Sequence, residues 1–351
     1  MTDYTALRRQ LHDHPQTAGN ECFAHDTIVA HLQSLSPTHV FTHVGGWGVV
    51  AAWIRDPGRP VVAFRADTDA LPIGHRCGHD GHTAILMRLA ELVDGGSGNA
   101  LLLWQPAEET WQGALAVIES GVLQRFDIKA IYGLHNIPGY PLGTVLLRQG
   151  TFAAASTGIV CRMKGVVTHA STPELGRNPA LAVAAMVNAL AAMDSPGDEA
   201  FRQCTPICIR MGEPAFGTSA GEAEVMYTLR AFSNSTMQAL LADVRDLVER
   251  RLASDYGLDC QLSLVEPFRA VENSAEHVAK IEQAALCESL AVSYLSRPMR
   301  WSEDFAEYLV RWPGAFFGVG SGELQPELHN PAYDFPDAII ELTSRVLARM
   351  V

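Results

Sequence analysis

The strongest constraint on the fold is a set of short apolar runs, each of which ends on residues that are costly to bury. Residues 48–54, 61–66, 100–104 and 130–134 are apolar, β-branched stretches of strand length. Strands of this kind are covered on both faces, as in a parallel sheet between layers of helices. Helical spacing runs through 4–13 and 23–34 before them, and through 81–93 and about 112–120 between the later ones. The run at 61–66 leads into Asp67-Thr68-Asp69 and then Cys77-Gly78-His79-Asp80-Gly81-His82. The run at 100–104 leads into Gln105-Pro106-Ala107-Glu108-Glu109, and the run at 130–134 ends on His135. A strand pattern at 315–319 leads through a Gly-rich turn to His329. The carboxyl ends of parallel strands share one edge of the sheet, and ligands bind there. Four remote segments therefore bring a thiol, imidazoles and carboxylates to one place.

The middle of the chain has a different rhythm. A strand at 157–164, a helix at 179–193, strands at 205–211 and 223–232, a helix at 235–255 and a strand at 258–265 follow in that order. This β-α-β-β-α-β order is the split-βαβ pattern of a ferredoxin-like sheet backed by two helices. After it the βα alternation resumes, with helices at 275–289, 303–311 and 336–349. The expected architecture is α/β: a mostly parallel-sheet domain formed by 1–150 and 266–351, with a smaller α+β domain inserted at 151–265.

Thiolate, imidazole and carboxylate donors meeting in a cleft suit zinc, cobalt or manganese. Cys77, His79, Glu109, His135 and His329 suffice for two such ions if one group bridges. Of two adjacent glutamates, one can bind metal while the other takes a proton from water that the metal has acidified. Singly, each residue has a bland reading as a buried thiol, a core histidine or a solvated carboxylate; the metal reading rests on their joint placement. His82 reads as structural, and Asp67 and Asp69 as groups that orient a ligand histidine. The Gly217-x-Ser219-x-Gly221 sequence mimics a nucleophile elbow, but it lacks the strand-turn-helix setting.

Of the 351 residues, 26 are Lys or Arg and 39 are Asp or Glu, a formal charge of −13 with no basic run, which argues against nucleic-acid binding. The most apolar segment, 180–193, is too short to span a membrane and is broken by Asn188. No export signal is evident. The seven scattered cysteines read as reduced thiols, and the expected location is cytoplasmic.

"FRADTDALPI" (64–73), "CGHDGHTA" (77–84), "QPAEE" (105–109), "GLHNIP" (133–138), "HASTPELGRNP" (169–179), "SEDF" (302–305) and "LHNPAYDF" (328–335) occur in this order along nearly the whole chain. The set resembles the amidohydrolase branch of the aminoacylase/carboxypeptidase metallopeptidase family, which includes N-acyl-amino-acid amidohydrolases, hippurate hydrolases and auxin-conjugate hydrolases. The resemblance implies a dinuclear site in the larger domain and a smaller domain that acts as a lid and dimerisation surface. It makes Cys77 the bridging ligand, with His79, Glu109, His135 and His329 completing the set. It makes Glu108 the general base and His169 the group that steadies the oxyanion. The implied substrate is a small N-acyl amino acid or a short peptide. The same site also suits a dipeptidase or carboxypeptidase, and the scaffold suits a non-catalytic binding protein. Two departures bear on specificity. Only residues 73–76 separate the "DALP" from the "CGH", and Gly217 stands where relatives carry Asn.

Overall fold

In the computed structural model, which describes residues 2–197 and 200–351, the apolar runs pair into one eight-stranded sheet. Its order is His39–Val44, Gly48–Trp53, Ala100–Gln105, Val61–Asp67, Ile128–Pro138, Gly314–Gly322, Val145–Leu147 and Val292–Tyr294. The central strands from Ala100–Gln105 through Gly314–Gly322 are all parallel, and antiparallel pairs flank them. The continuous apolar pattern has the cause inferred from the sequence. Phe64, Leu102, Trp104, Tyr132 and Phe317 join one core cluster, while their alternating neighbours Ala63, Leu101, Leu103, Ile131 and Phe316 are equally buried. Helices Tyr4–Asp13, His79–Asp94 and Ala338–Ala348 pack against one another beside this sheet. Together these elements form one compact unit, comprising the chain up to Phe152, Val271–Arg297 and Glu303–Val351.

The second unit comprises Ala153–Ala270 and Pro298–Ser302. Its four-stranded antiparallel sheet has the order Arg202–Met211, Glu222–Ala231, Ala155–Lys164, Asp259–Phe268. Strand Glu222–Ala231 alternates strictly, burying Ala223, Val225, Tyr227, Leu229 and Ala231 in one cluster with residues of helices Ala180–Met193 and Asn234–Arg245. Two expected helices differ in detail. The one expected at 235–255 contains a π-helical segment, Asp246–Leu252, whose wider turns keep Leu247, Val248 and Leu252 buried. The one expected at 303–311 shrinks to Ala306–Leu309, because Glu303 and Asp304 turn inward to meet Arg65.

Close packing of the parallel pair leaves no room for a side chain at Gly314, where a Cβ would lie 1.9 Å from the Ile131 carbonyl oxygen. Gly314→Ala should therefore destabilise the protein by about 1–3 kcal/mol in denaturant titration, the usual range for overpacking. An unchanged midpoint would contradict this register.

Candidate metal centre

All the clustered donors described here lie in the first unit, at the carboxyl edge of its sheet. Gly78 turns the chain into helix His79–Asp94 with φ of 100°, and a Cβ there would lie 2.5 Å from Asn136 Oδ1. Glycine at this point places Cys77 just before the helix and His79 in its first turn. Glu108 and Glu109 sit on the short helical turn Glu108–Thr110 that follows strand Ala100–Gln105. His135 projects from within strand Ile128–Pro138, which runs past the end expected at 134.

The donor atoms form two overlapping triads. Those of Cys77, His79 and His135 lie within 4.8 Å of one another, as do those of Cys77, Glu109 and His329. Cys77 belongs to both. His79 Nδ1 donates to the Asp69 carbonyl oxygen at 2.9 Å, and His135 Nδ1 to the Asn136 carbonyl oxygen at 2.8 Å. A carbonyl only accepts, so each ring carries a proton on Nδ1 and leaves Nε2 as the nitrogen that can bind a cation. His135 Nε2 is 3.5 Å from Cys77 Sγ. His79 Nε2 and Glu109 Oε1 are buried with no hydrogen-bond partner. His329 has φ of 66° and donates its backbone N–H to the Arg76 carbonyl oxygen at 2.9 Å. Its half-exposed ring lies with Nε2 3.9 Å from Glu109 Oε1.

Orphaned buried donors converging on a thiol fit a divalent cation of the zinc type, which would satisfy them all. The proton affinities agree. Burial pushes the Cys77 thiol and the Glu109 carboxyl upward, and burial together with His82 pushes His135 well down. Burial opposes the charged form of His79, but Asp67 and Cys77 outweigh it and hold that ring up. A bound cation would displace these protons, so metal uptake and deprotonation are coupled.

Around the triads lies a second layer. Asp67 bonds His82 Nδ1 at 2.5 Å, and Asn136 Oδ1 bonds His82 Nε2 at 2.5 Å. Both His82 nitrogens are thus occupied, which fits the structural role read from the sequence. Asp69, and not Asp67, orients a triad histidine, through its carbonyl; its Oδ2 also accepts the Glu109 N–H at 3.0 Å. Sequence reasoning missed Arg65. Its guanidinium is fully buried and bonds Asp67 at 2.6 Å, Gln105 at 2.8 Å and Asp304 at 2.7 Å, with Glu303 at 3.0 Å. A charge inside an apolar strand was the available signal. Glu108 is buried, and its oxygens approach both Glu303/Asp304 and His79/Glu109 within 4.8 Å. Burial and the neighbouring carboxylates Glu303, Glu109 and Asp304 raise its proton affinity well above the usual range.

The short 73–76 segment closes as a tight turn and buries His75, which desolvation drives down to about 4. His169 belongs to the second unit and is exposed. Its Nδ1 accepts the Ser171 N–H at 3.1 Å, which makes Nε2 the donor nitrogen of the neutral ring. Ser219 of the elbow-like sequence accepts a bond from Asn178 at 2.9 Å and lies in a two-residue strand.

Residues 63–351 match the family described as Peptidase family M20/M25/M40. The chain belongs to this family. It is similar to the N-acetylcysteine deacetylase of Bacillus subtilis strain 168, with 28% identity across 98% of this chain and 94% of that one. It is also similar to the hippurate hydrolase of Campylobacter jejuni, with 25% identity across 99% and 95%. Among solved structures it resembles a dinuclear metal-binding M20 peptidase from Bacillus subtilis, with a TM-score of 0.85, 25% identity, and 99% and 96% of the two chains covered. As a member of peptidase family M20/M25/M40, the protein is a metal-dependent hydrolase of amide bonds.

Proposed function

We propose that the protein hydrolyses the amide bond of N-acyl or N-aminoacyl amino acids, with Glu108 as the general base. The observation that carries this reading is one thiol shared by two donor triads, with a second, buried glutamate beside them. Cys77, His79 and His135 would hold one divalent ion, and Cys77, Glu109 and His329 the other. When bound, such ions polarise the scissile carbonyl and lower the pKa of water from ~15.7 towards ~7. The donor set admits manganese, zinc or cobalt.

Glu108 takes a proton from the attacking water as the carbon–oxygen bond forms. It returns that proton to the amine nitrogen as the carbon–nitrogen bond breaks. Its raised proton affinity suits both halves of this shuttle. His169 Nε2, from this subunit or a neighbour, is assigned the oxyanion. The second unit is read as the lid, and its sheet also supports a homodimer. Strand Arg202–Met211 is an edge strand that exposes Ile207 at 60%, Ile209 at 48% and Met211 at 42%. An apolar edge of this kind is a template for a second copy of the chain. All seven cysteines are free, which supports a cytoplasmic location. Among the described residues, no helix is long and apolar enough to cross a membrane.

The direct test is Glu108→Gln, assayed on N-acetyl-L-cysteine, hippurate and a panel of N-acetyl amino acids and dipeptides. The variant should keep its metal and lose at least about a hundredfold in kcat; near wild-type turnover would remove Glu108 from the mechanism. For the assembly, sedimentation equilibrium should show a dimer, and Ile207→Lys with Ile209→Lys should give a monomer. A monomeric wild type would contradict the edge-strand reading.

A further inference from the structure

Glu21 lies just before helix Cys22–Leu32, outside every motif that carries the family resemblance. Its side chain is fully buried, Oε1 accepts the Ala107 N–H at 2.9 Å, and Oε2 has no partner. A carboxylate buried with one oxygen unsatisfied is costly, and this one bonds the backbone next to Glu108. That backbone is itself unfavourable. Ala107 and Trp111, on either side of the Glu108–Thr110 turn, have φ of 56° and 59°, in the left-handed region that side chains disfavour. Such conformations persist only where their surroundings over-determine them. Two carboxylates do this here. Glu21 holds the N–H of residue 107, and Asp69 Oδ2 holds the N–H of residue 109 at 3.0 Å. Glu108 is fixed between the two bonds.

We propose that Glu21 is a positioning residue whose carboxylate locks the left-handed turn at Ala107 and so aims the Glu108 carboxylate. The inference rests on the reading of Glu108 as the base. Removing the clamp frees residue 107 to leave the left-handed region, which swings Glu108 away from the reacting water, while Asp69 still holds the Glu109 N–H and the Cys77, His79 and His135 triad is untouched. The effect therefore falls on kcat and not on KM or metal content.

The test compares Glu21→Ala, Glu21→Gln and the double variant Glu21→Ala/Ala107→Gly as metal-loaded proteins, with N-acetyl-L-cysteine and hippurate as substrates and metal content measured alongside. Glu21→Ala should lose at least tenfold in kcat with KM within about twofold of wild type. Glu21→Gln, which keeps an acceptor oxygen, should recover most of the loss. The double variant should also recover much of it, because glycine adopts positive φ without the steric penalty. A purely structural role would not be rescued by a glycine at residue 107. Wild-type kcat in Glu21→Ala, or a folded, metal-replete double variant no faster than Glu21→Ala, would overturn the proposal. Failure of both Glu21→Ala and the double variant to fold would assign Glu21 to the fold and overturn it as well. The two readings separate through Glu108→Gln. If that variant is inactive and Glu21→Ala is fully active, only the positioning claim falls; if Glu108→Gln is active, the base itself is wrong.

Discussion

A single buried guanidinium ties the catalytic edge of the sheet together. Arg65 stands inside strand Val61–Asp67 and reaches Asp67, Gln105, Glu303 and Asp304, groups from three remote parts of the chain. Its partners reach further groups in turn. Asp67 holds His82, Gln105 ends the strand whose following loop carries Glu108, and Asp304 accepts the Ala114 N–H at 2.9 Å. One cation faces three buried carboxyl groups, and burial raises the proton affinities of Glu303 and of Asp304, the latter to about 8. A buried charge of this kind is tolerable only with its partners in place, so the strand ends and the loops after them are set as a group.

The same economy explains why the donors are poised for metal. Backbone carbonyls take the Nδ1 protons of His79 and His135, which leaves Nε2 of each ring as the nitrogen available to a cation beside the Cys77 thiol. Burial raises the proton affinities of the thiol and of the Glu109 carboxyl. A cation entering the site replaces those protons and satisfies the orphaned atoms. Glu108 differs from its neighbour in facing Glu303 and Asp304 as well, surroundings that favour holding a proton over holding a metal. The adjacent glutamates thus have separate environments, and the proposed division into base and ligand rests on that difference.

Much of this was legible in the sequence where a single physical cause dominates. Burial on both faces makes a strand continuously apolar, so the central parallel strands could be read, and half-burial makes Glu222–Ala231 alternate. The flanking strands His39–Val44, Val145–Leu147 and Val292–Tyr294 escaped notice; two are only three residues long, and the first is exposed along most of its length. The donor residues stood out because they follow predicted strand ends. Glu303 and Glu21 did not, because their roles come from tertiary partners that no local pattern encodes, and Arg65 was marked only by its charge within an apolar strand. Asp67 and Asp69, read together as groups that orient a ligand histidine, part for the same reason: Asp67 bonds His82 and the Asp69 carbonyl bonds His79. Spacing placed both near the ligands, but only the folded backbone decides that the Asp69 carbonyl faces His79.

The central claim is that Cys77 is shared between two cations. Its most direct test is the metal content of extensively dialysed protein, wild type against Cys77→Ala, by inductively coupled plasma mass spectrometry. A shared thiolate predicts about two divalent ions per wild-type chain and the weakening of both sites together in the variant. A wild-type content of one ion, or a variant that still binds two with undiminished affinity, would contradict it.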